Sequence, residues 1–193
     1  MALLDILLEG DPRLRQKSVR VRSVDESLRQ LASDMYDTMM EAPGVGIAAP
    51  QVGVLRRLIW VHLPENYHDD GEPGLSVALV NPEIIKSRGR ALGYEGCLSI
   101  PGWVGEVPRA EHITVKAVGL DNRPVRLKAF GWGARVLQHE IDHLDGILFI
   151  DHISALKRNM ILRKLLKARK EQERGEAERG PVKAKTKDPE HAI

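Results

Sequence analysis

In Gly133-Ala134-Arg135-Val136-Leu137-Gln138-His139-Glu140-Ile141-Asp142-His143-Leu144-Asp145-Gly146 two patterns are superimposed. Leu137, Ile141 and Leu144, with Leu148 beyond, recur at steps of four, three and four. That spacing lines one face of an α-helix, and Gly146 is placed to end it. His139 and His143 stand four apart, so a helix puts both imidazoles on one face with Glu140 beside them. The apolar stripe and the histidine pair do not overlap. The spacing therefore predicts a buried helix over 133–145 that offers one face to a core and another to a metal ion. Two accidental surface histidines are the competing reading. Burial of an imidazole without a partner is costly, which favours metal binding.

A catalytic metal site takes three protein ligands and keeps one position open. The extended motif H-E-x-x-H-x-x-G-x-x-H of one metalloprotease class is matched at Gly146, but Phe149 stands where its last histidine belongs. A thermolysin-like site needs a downstream glutamate; Glu171 and Glu173 lie in a charge-dense stretch and make poor ligands. Cys97 remains, in Glu95-Gly96-Cys97-Leu98-Ser99-Ile100-Pro101-Gly102. On its own it reads more readily as an inert core cysteine than as a ligand.

Working outward, Ser23 and Glu26 fit a capping box ahead of Leu28, Leu31, Met35 and Met39, a helical spacing that Ala42-Pro43-Gly44 stops. Residues 54–62 and 75–85 are β-branched and apolar and read as strands, with an exposed loop over 64–74. Ile113, Val115 and Ala117, then a turn over 119–124, then Val125, Leu127 and Ala129 alternate as a β-hairpin. Ser154 can cap a third helix with Ile161, Leu162, Leu165 and Leu166 as its apolar stripe. There is no internal repeat and no strand-helix alternation, so the expected fold class is α+β. His62, His68, His112, His152 and His191 have no motif around them and read as surface or core histidines.

Three segments, in order along the chain, resemble the signature motifs of bacterial peptide deformylases. They are Gly44-Val45-Gly46-Ile47-Ala48-Ala49-Pro50-Gln51, Glu95-Gly96-Cys97-Leu98-Ser99 and Gln138-His139-Glu140-Ile141-Asp142-His143. The first also imitates a dinucleotide-binding fingerprint, but a helix precedes it and Pro50 follows, which is the wrong context for that motif. The resemblance implies a single domain in which antiparallel β-sheets pack around a central helix carrying H-E-x-x-H, plus a C-terminal helix. It implies a catalytic domain over 1–165 and a basic, partly disordered tail over 166–193.

The resemblance also implies chemistry. Cys97 becomes the third ligand beside His139 and His143, holding one divalent ion, with Fe2+ expected and Zn2+ or Ni2+ also suited to the donors. Such an ion lowers the pKa of water from ~16 toward ~7, so hydroxide can attack a formyl carbon, with Glu140 as general base and then acid. The Gln51 amide and the Leu98 backbone N–H would stabilise the oxygen that gains charge. The substrate implied is a nascent formyl-methionyl polypeptide, paired as an added strand with Gly44, Val45, Gly46, Ile47 and Gly96. Val136 and His139 would wall its methionine pocket, from which Arg135 is omitted as too polar.

Composition sets the surroundings. Hydrophobic residues are 42% and charged residues 29% of 193, ordinary for a globular chain. No apolar run approaches the ~20 residues that cross a bilayer, so a soluble protein with no membrane partner is expected. Asp5, Glu9 and Asp11 near the start do not fit a secretory leader, and the lone Cys97 cannot form an internal disulfide; both suit the cytoplasm. Residues 157–187 hold twelve Lys/Arg against four Glu, whereas 1–156 hold 17 Lys/Arg against 21 Asp/Glu. The basic end is expected either to be a solvated helix or to bind an acidic partner such as RNA; the resemblance implies that this partner is the ribosome, met through the C-terminal helix. The oligomeric state is left open.

Overall fold

The structure is a computed structural model that describes residues 2–65 and 74–179. The elements in order are α1 (Glu26–Glu41), β1 (Gly46–Ala48), β2 (Leu58–Leu63), β3 (Leu75–Arg88), β4 (Ala91–Cys97), β5 (Ile100–Arg109), β6 (His112–Val118), β7 (Pro124–Phe130), α2 (Gly131–Leu144) and α3 (Ala155–Arg179). Two antiparallel sheets result: a five-stranded one in the order β1-β2-β3-β6-β7, and the β4–β5 ribbon. This is the α+β arrangement expected, and α2 is the central helix.

Alternation along the strands explains how two helices share the large sheet. Ala48, Ile59, Val61 and Leu79 face α2, where they meet Leu137, Ile141 and Leu144. Their neighbours Ile47, Leu58 and Val80 face Leu28, Met35 and Met39 of α1. A strand covered on both faces has no polar side, so residues 58–61 form the unbroken apolar run Leu-Ile-Trp-Val. Each of the buried leucines of α2 is worth about 1.5–3 kcal/mol. Together they fix which side of α2 meets the sheet, and so turn the histidine side toward the ribbon.

The hairpin read from alternation is β6–β7, in the register Val115↔Leu127. Several local expectations need correction. The cap of α1 is Asp25, not Ser23: Asp25 Oδ1 accepts from Leu28 N–H at 2.9 Å. The strand expected over 54–62 begins at Leu58, because Val54 and the residues before it close a 3-10 turn over Ala49–Val52. Strand β3 runs on to Arg88, bent where Asn81 (φ 51) and Pro82 interrupt the ladder. Asn81 is used fully, accepting from Val21 N–H and donating to Val21 C=O. Leu148 lies beyond α2 but is still buried, in a third core with Phe149, Ile150 and Ile161 beneath the ribbon. The ribbon itself was not anticipated. The loop expected over 64–74 lies largely outside the described residues, as do His68 and His191.

Helix α3 starts at Ser154, whose Oγ accepts from Lys157 N–H at 3.3 Å, and continues through position 165 to Arg179. Of its stripe, Ile161 is buried, Leu162 and Leu165 are half-buried and Leu166 is exposed. No helix among the described residues is long and apolar enough to cross a membrane.

Candidate active site

Cys97 ends β4 at a break in the ribbon's register, where Gly96 pairs with Val104 but Cys97 pairs with Ile100. The break turns the thiol inward, onto the histidine side of α2. Cys97 Sγ lies 3.3 Å from His143 Nε2, the His139 and His143 ring centroids are 5.0 Å apart, and one ligand atom from each of the three residues falls within 4.8 Å of the others. Both histidines are buried.

The donors fit a metal ion on two observations. His143 turns its Nε2 toward the Cys97 thiol, at 3.3 Å, with His139 on the same side of the helix. His139 is oriented from behind, its Nδ1 2.9 Å from Glu95 Oε2, the carboxylate-imidazole pairing that sets a ligand's tautomer. One thiol and two imidazoles form the three-ligand set of a catalytic site with an open position. Without a cation the two imidazoles compete for one proton. Burial opposes a charge on His139, but the thiol and Glu95 beside it hold its pKa well above 6.5. Burial and the neighbouring His139 push His143 well below that value. A bound cation takes the place of that proton.

Glu140 is buried on the same helix, with Oε2 unpartnered among the described residues. Burial raises its carboxyl to about 7, the range in which a carboxylate can both take and return a proton near neutral pH. It packs against Gly46: a Cβ there would collide with Glu140 Oε1 and stand 2.8 Å from Cδ. The glycine at this point of β1 is what gives the carboxylate its room.

Gln51, buried in the turn after β1, is held at both ends. Its Oε1 accepts from Ala48 N–H at 2.8 Å, and its Nε2 donates to Ser99 Oγ at 3.2 Å and faces Cys97 Sγ at 3.5 Å. Leu98 occupies the turn between β4 and β5, close enough to Gly44 that a Cβ on the glycine would meet Leu98 Cδ1 at 2.9 Å. The edge of β1 beside them is open. Val45 C=O accepts from His62 N–H of β2, so by alternation Gly46 turns its N–H and C=O away from the sheet.

These groups surround a cleft of about 740 Å³ lined by Gly44, Val45, Gly46, Gln51, Gly96, Cys97, Leu98, Val136, His139 and Glu140. His143 sits behind that surface. Ile47 is not on it, because its side chain points to the α1 core. The cleft also takes in Ile6, Trp103, Trp132 and Arg135, which were not anticipated. Arg135 belongs there because its guanidinium is fully engaged, donating to Glu95 Oε1 (2.9 Å), Val107 C=O (2.8 Å) and Ala91 C=O (3.0 Å).

Glu95 is the larger omission. It accepts from Arg109 (Nε to Oε1, 2.8 Å; NH2 to Oε2, 3.0 Å) and from Arg135 while holding His139. Burial opposes its charge, but His139 and Arg109 outweigh that and hold the carboxyl at about 2. Arg109 continues outward to Asp142, which also meets His152 Nε2 at 2.7 Å. A signal was available. In β4 the outward residues Leu92 and Tyr94 are apolar and the inward Glu95 is charged, the reverse of the usual pattern, and such an inversion marks a buried polar network.

The sequence profile of the family described as polypeptide deformylase matches residues 3–159. The chain is 61% identical over 153 residues to a peptide deformylase of Thermomicrobium roseum, covering 79% of this chain and 87% of the relative. It is 49% identical to one from Alkalilimnicola ehrlichii over 86% of this chain and 91% of the relative. Among solved structures, a peptide deformylase from Ehrlichia chaffeensis superposes with a TM-score of 0.84 at 36% identity, over 89% of this chain and 99% of that one. The same organism's enzyme in complex with actinonin gives 0.82 at 37% identity, over 87% and 98%.

Proposed function

The chain belongs to the peptide deformylase family of hydrolases, and we propose that it takes the formyl group from nascent formyl-methionyl polypeptides with one divalent ion held by Cys97, His139 and His143. The carrying observation is the buried Glu140 carboxylate, its Oε2 unpartnered among the described residues, beside that donor set in the lining of the cleft. When bound, the ion supplies a Lewis acid and brings the pKa of water from ~16 toward ~7. Ferrous iron is the native ion in this reading, and zinc or nickel suit the same donors.

The chain's own residues do the rest. Glu140 accepts the proton of the attacking water as the new C–O bond forms at the formyl carbon. It passes that proton to the nitrogen as the C–N bond breaks, leaving formate and a free N-terminal amine. The oxygen that gains charge is met by the Gln51 side-chain amide and the Leu98 N–H, each worth roughly 3–4 kcal/mol in a water-poor site. Glu95 keeps His139 in its ligating tautomer. The open edge of β1 at Gly46 and the backbone at Gly96 receive the substrate as an added strand. Val136, and the stem of Arg135 beside it, wall the methionine.

The enzyme acts in the cytoplasm on chains leaving the ribosome, which the basic α3 contacts through 157–170. That stretch carries seven Lys/Arg and no acid. Residues 166–193 are the tail of the catalytic domain over 1–165. Glu140→Ala tests the core of the reading: bound ion per protein should be unchanged and turnover of a formyl-Met peptide should fall about 10²–10⁴-fold. Undiminished turnover removes Glu140 from the reaction, and cleavage of internal peptide bonds with none of formyl-Met would replace deformylation by endopeptidase activity.

A further inference from the structure

Gln51 and Leu98 reach the cleft from different sheets, one following β1 and the other between β4 and β5. The N-terminal segment crosses both. Leu7 N–H donates to Gln51 C=O at 2.7 Å, and Glu9 N–H donates to Ser99 C=O at 2.8 Å. We infer that residues 6–9 are a positioning strap, the Leu7 and Glu9 N–H groups setting the separation between the two donors of the formyl oxygen. The inference rests on the donor roles proposed above.

The geometry is that of a spacer. Two residues of chain span at most about 7 Å, so short hydrogen bonds from Leu7 and Glu9, one to each turn, limit how far the two turns can separate. The strap is anchored on both sides. Leu4 N–H donates to Thr38 Oγ1 on α1 at 3.0 Å. Glu9 Oε1 pairs with Arg15 at 3.1 Å, and Arg15 pairs with Asp151 below the ribbon. Ile6 lines the cleft. On the cleft side the same two turns are joined by Gln51 Nε2 to Ser99 Oγ. Donors must lie within about 2.7–3.1 Å of a developing oxyanion, and a displacement of about 1 Å costs on the order of 10²-fold. The strap holds the two turns from one side and the Gln51–Ser99 bond holds them from the cleft side, so their separation is fixed at two levels.

Leu7→Pro deletes the N–H to Gln51. It should lower kcat on a formyl-Met peptide about tenfold and leave KM and bound ion per protein unchanged, a split that general loosening of the fold would not produce. Replacing the Leu7 amide by an ester removes the same N–H without the ring and decides the matter if the proline variant does not fold. In a Gln51→Ala background, either change should lower kcat by well under the factor seen alone, the non-additivity expected of groups acting as a unit. Unchanged kcat in the ester variant, while Gln51→Ala alone is impaired, would overturn the strap and leave the proposed function standing. Losses that multiply in the double variant would overturn it too. Full turnover by Gln51→Ala would instead overturn the donor assignment, and the strap's purpose with it.

Discussion

Glu95→Gln keeps the shape of the side chain and removes its charge. Glu95 Oε1 takes bonds from Arg109 Nε at 2.8 Å and Arg135 NH1 at 2.9 Å, while Oε2 takes Arg109 NH2 at 3.0 Å and faces His139 Nδ1 at 2.9 Å. Whichever way the glutamine amide turns, its NH2 meets an N–H donor, and two buried guanidinium groups lose their shared counter-charge. Breaking a buried ion pair from one side costs about 3–5 kcal/mol. The carboxyl is held at about 2 against an ordinary 4.5, and at 1.36 kcal/mol per pH unit this is about 3 kcal/mol. Because the folded value is the lower one, that stability is complete above about pH 4.5 and is lost as pH falls toward 2. Urea unfolding of the metal-stripped proteins between pH 7 and 3 should therefore show the variant about 3 kcal/mol less stable at neutral pH, with the two curves converging in acid. Ion affinity, measured by competition with a chelator, should weaken about 10–100-fold as His139 loses its orienting partner. A variant within 1 kcal/mol of the parent at pH 7, with the same ion affinity, would refute the account.

Gly46→Ala should fold and hold its ion but lose about 10–100-fold in kcat, because the added methyl displaces the Glu140 carboxylate; undiminished kcat would show that Glu140 adapts freely. If α3 contacts ribosomal RNA through about six of its cations, ribosome binding by the full chain should weaken on the order of 10³-fold between 50 and 200 mM salt. A flat salt response in a pelleting assay would make the helix a solvated one.

Local rules succeeded where the relevant contact is local. Residues four apart on a helix are neighbours whatever surrounds the helix, so α2 and the shared face of His139 and His143 followed from spacing. Strict alternation over 113–129 foretold β6–β7 in the same way. The β4–β5 ribbon escaped because its outward side chains Leu92, Tyr94 and Val104 are about two-thirds exposed while Glu95 and Arg109 point inward. Alternation assigns faces only when the inward face is apolar, and here that face meets the Arg135 guanidinium. Ile47 was counted with the substrate strand because it closes the glycine-rich run that begins at Gly44. Its side chain went to α1 because β1 lies between two helices and successive residues must serve opposite cores.

What the sequence determined by itself is therefore the chemistry on offer: two imidazoles and a carboxylate on one helix, a single thiol in a glycine-flanked turn, and a glycine-rich segment with a glutamine at its end. Which of these groups meet was decided by tertiary structure. Glu95 and His139 are 44 residues apart and touch only because the ribbon packs across α2. The thiol reaches His143 only because the register breaks at Gly96. Side-chain spacing along one element extends about one helical turn, and beyond that distance the partner of a polar group is set by which faces the hydrophobic cores have already claimed.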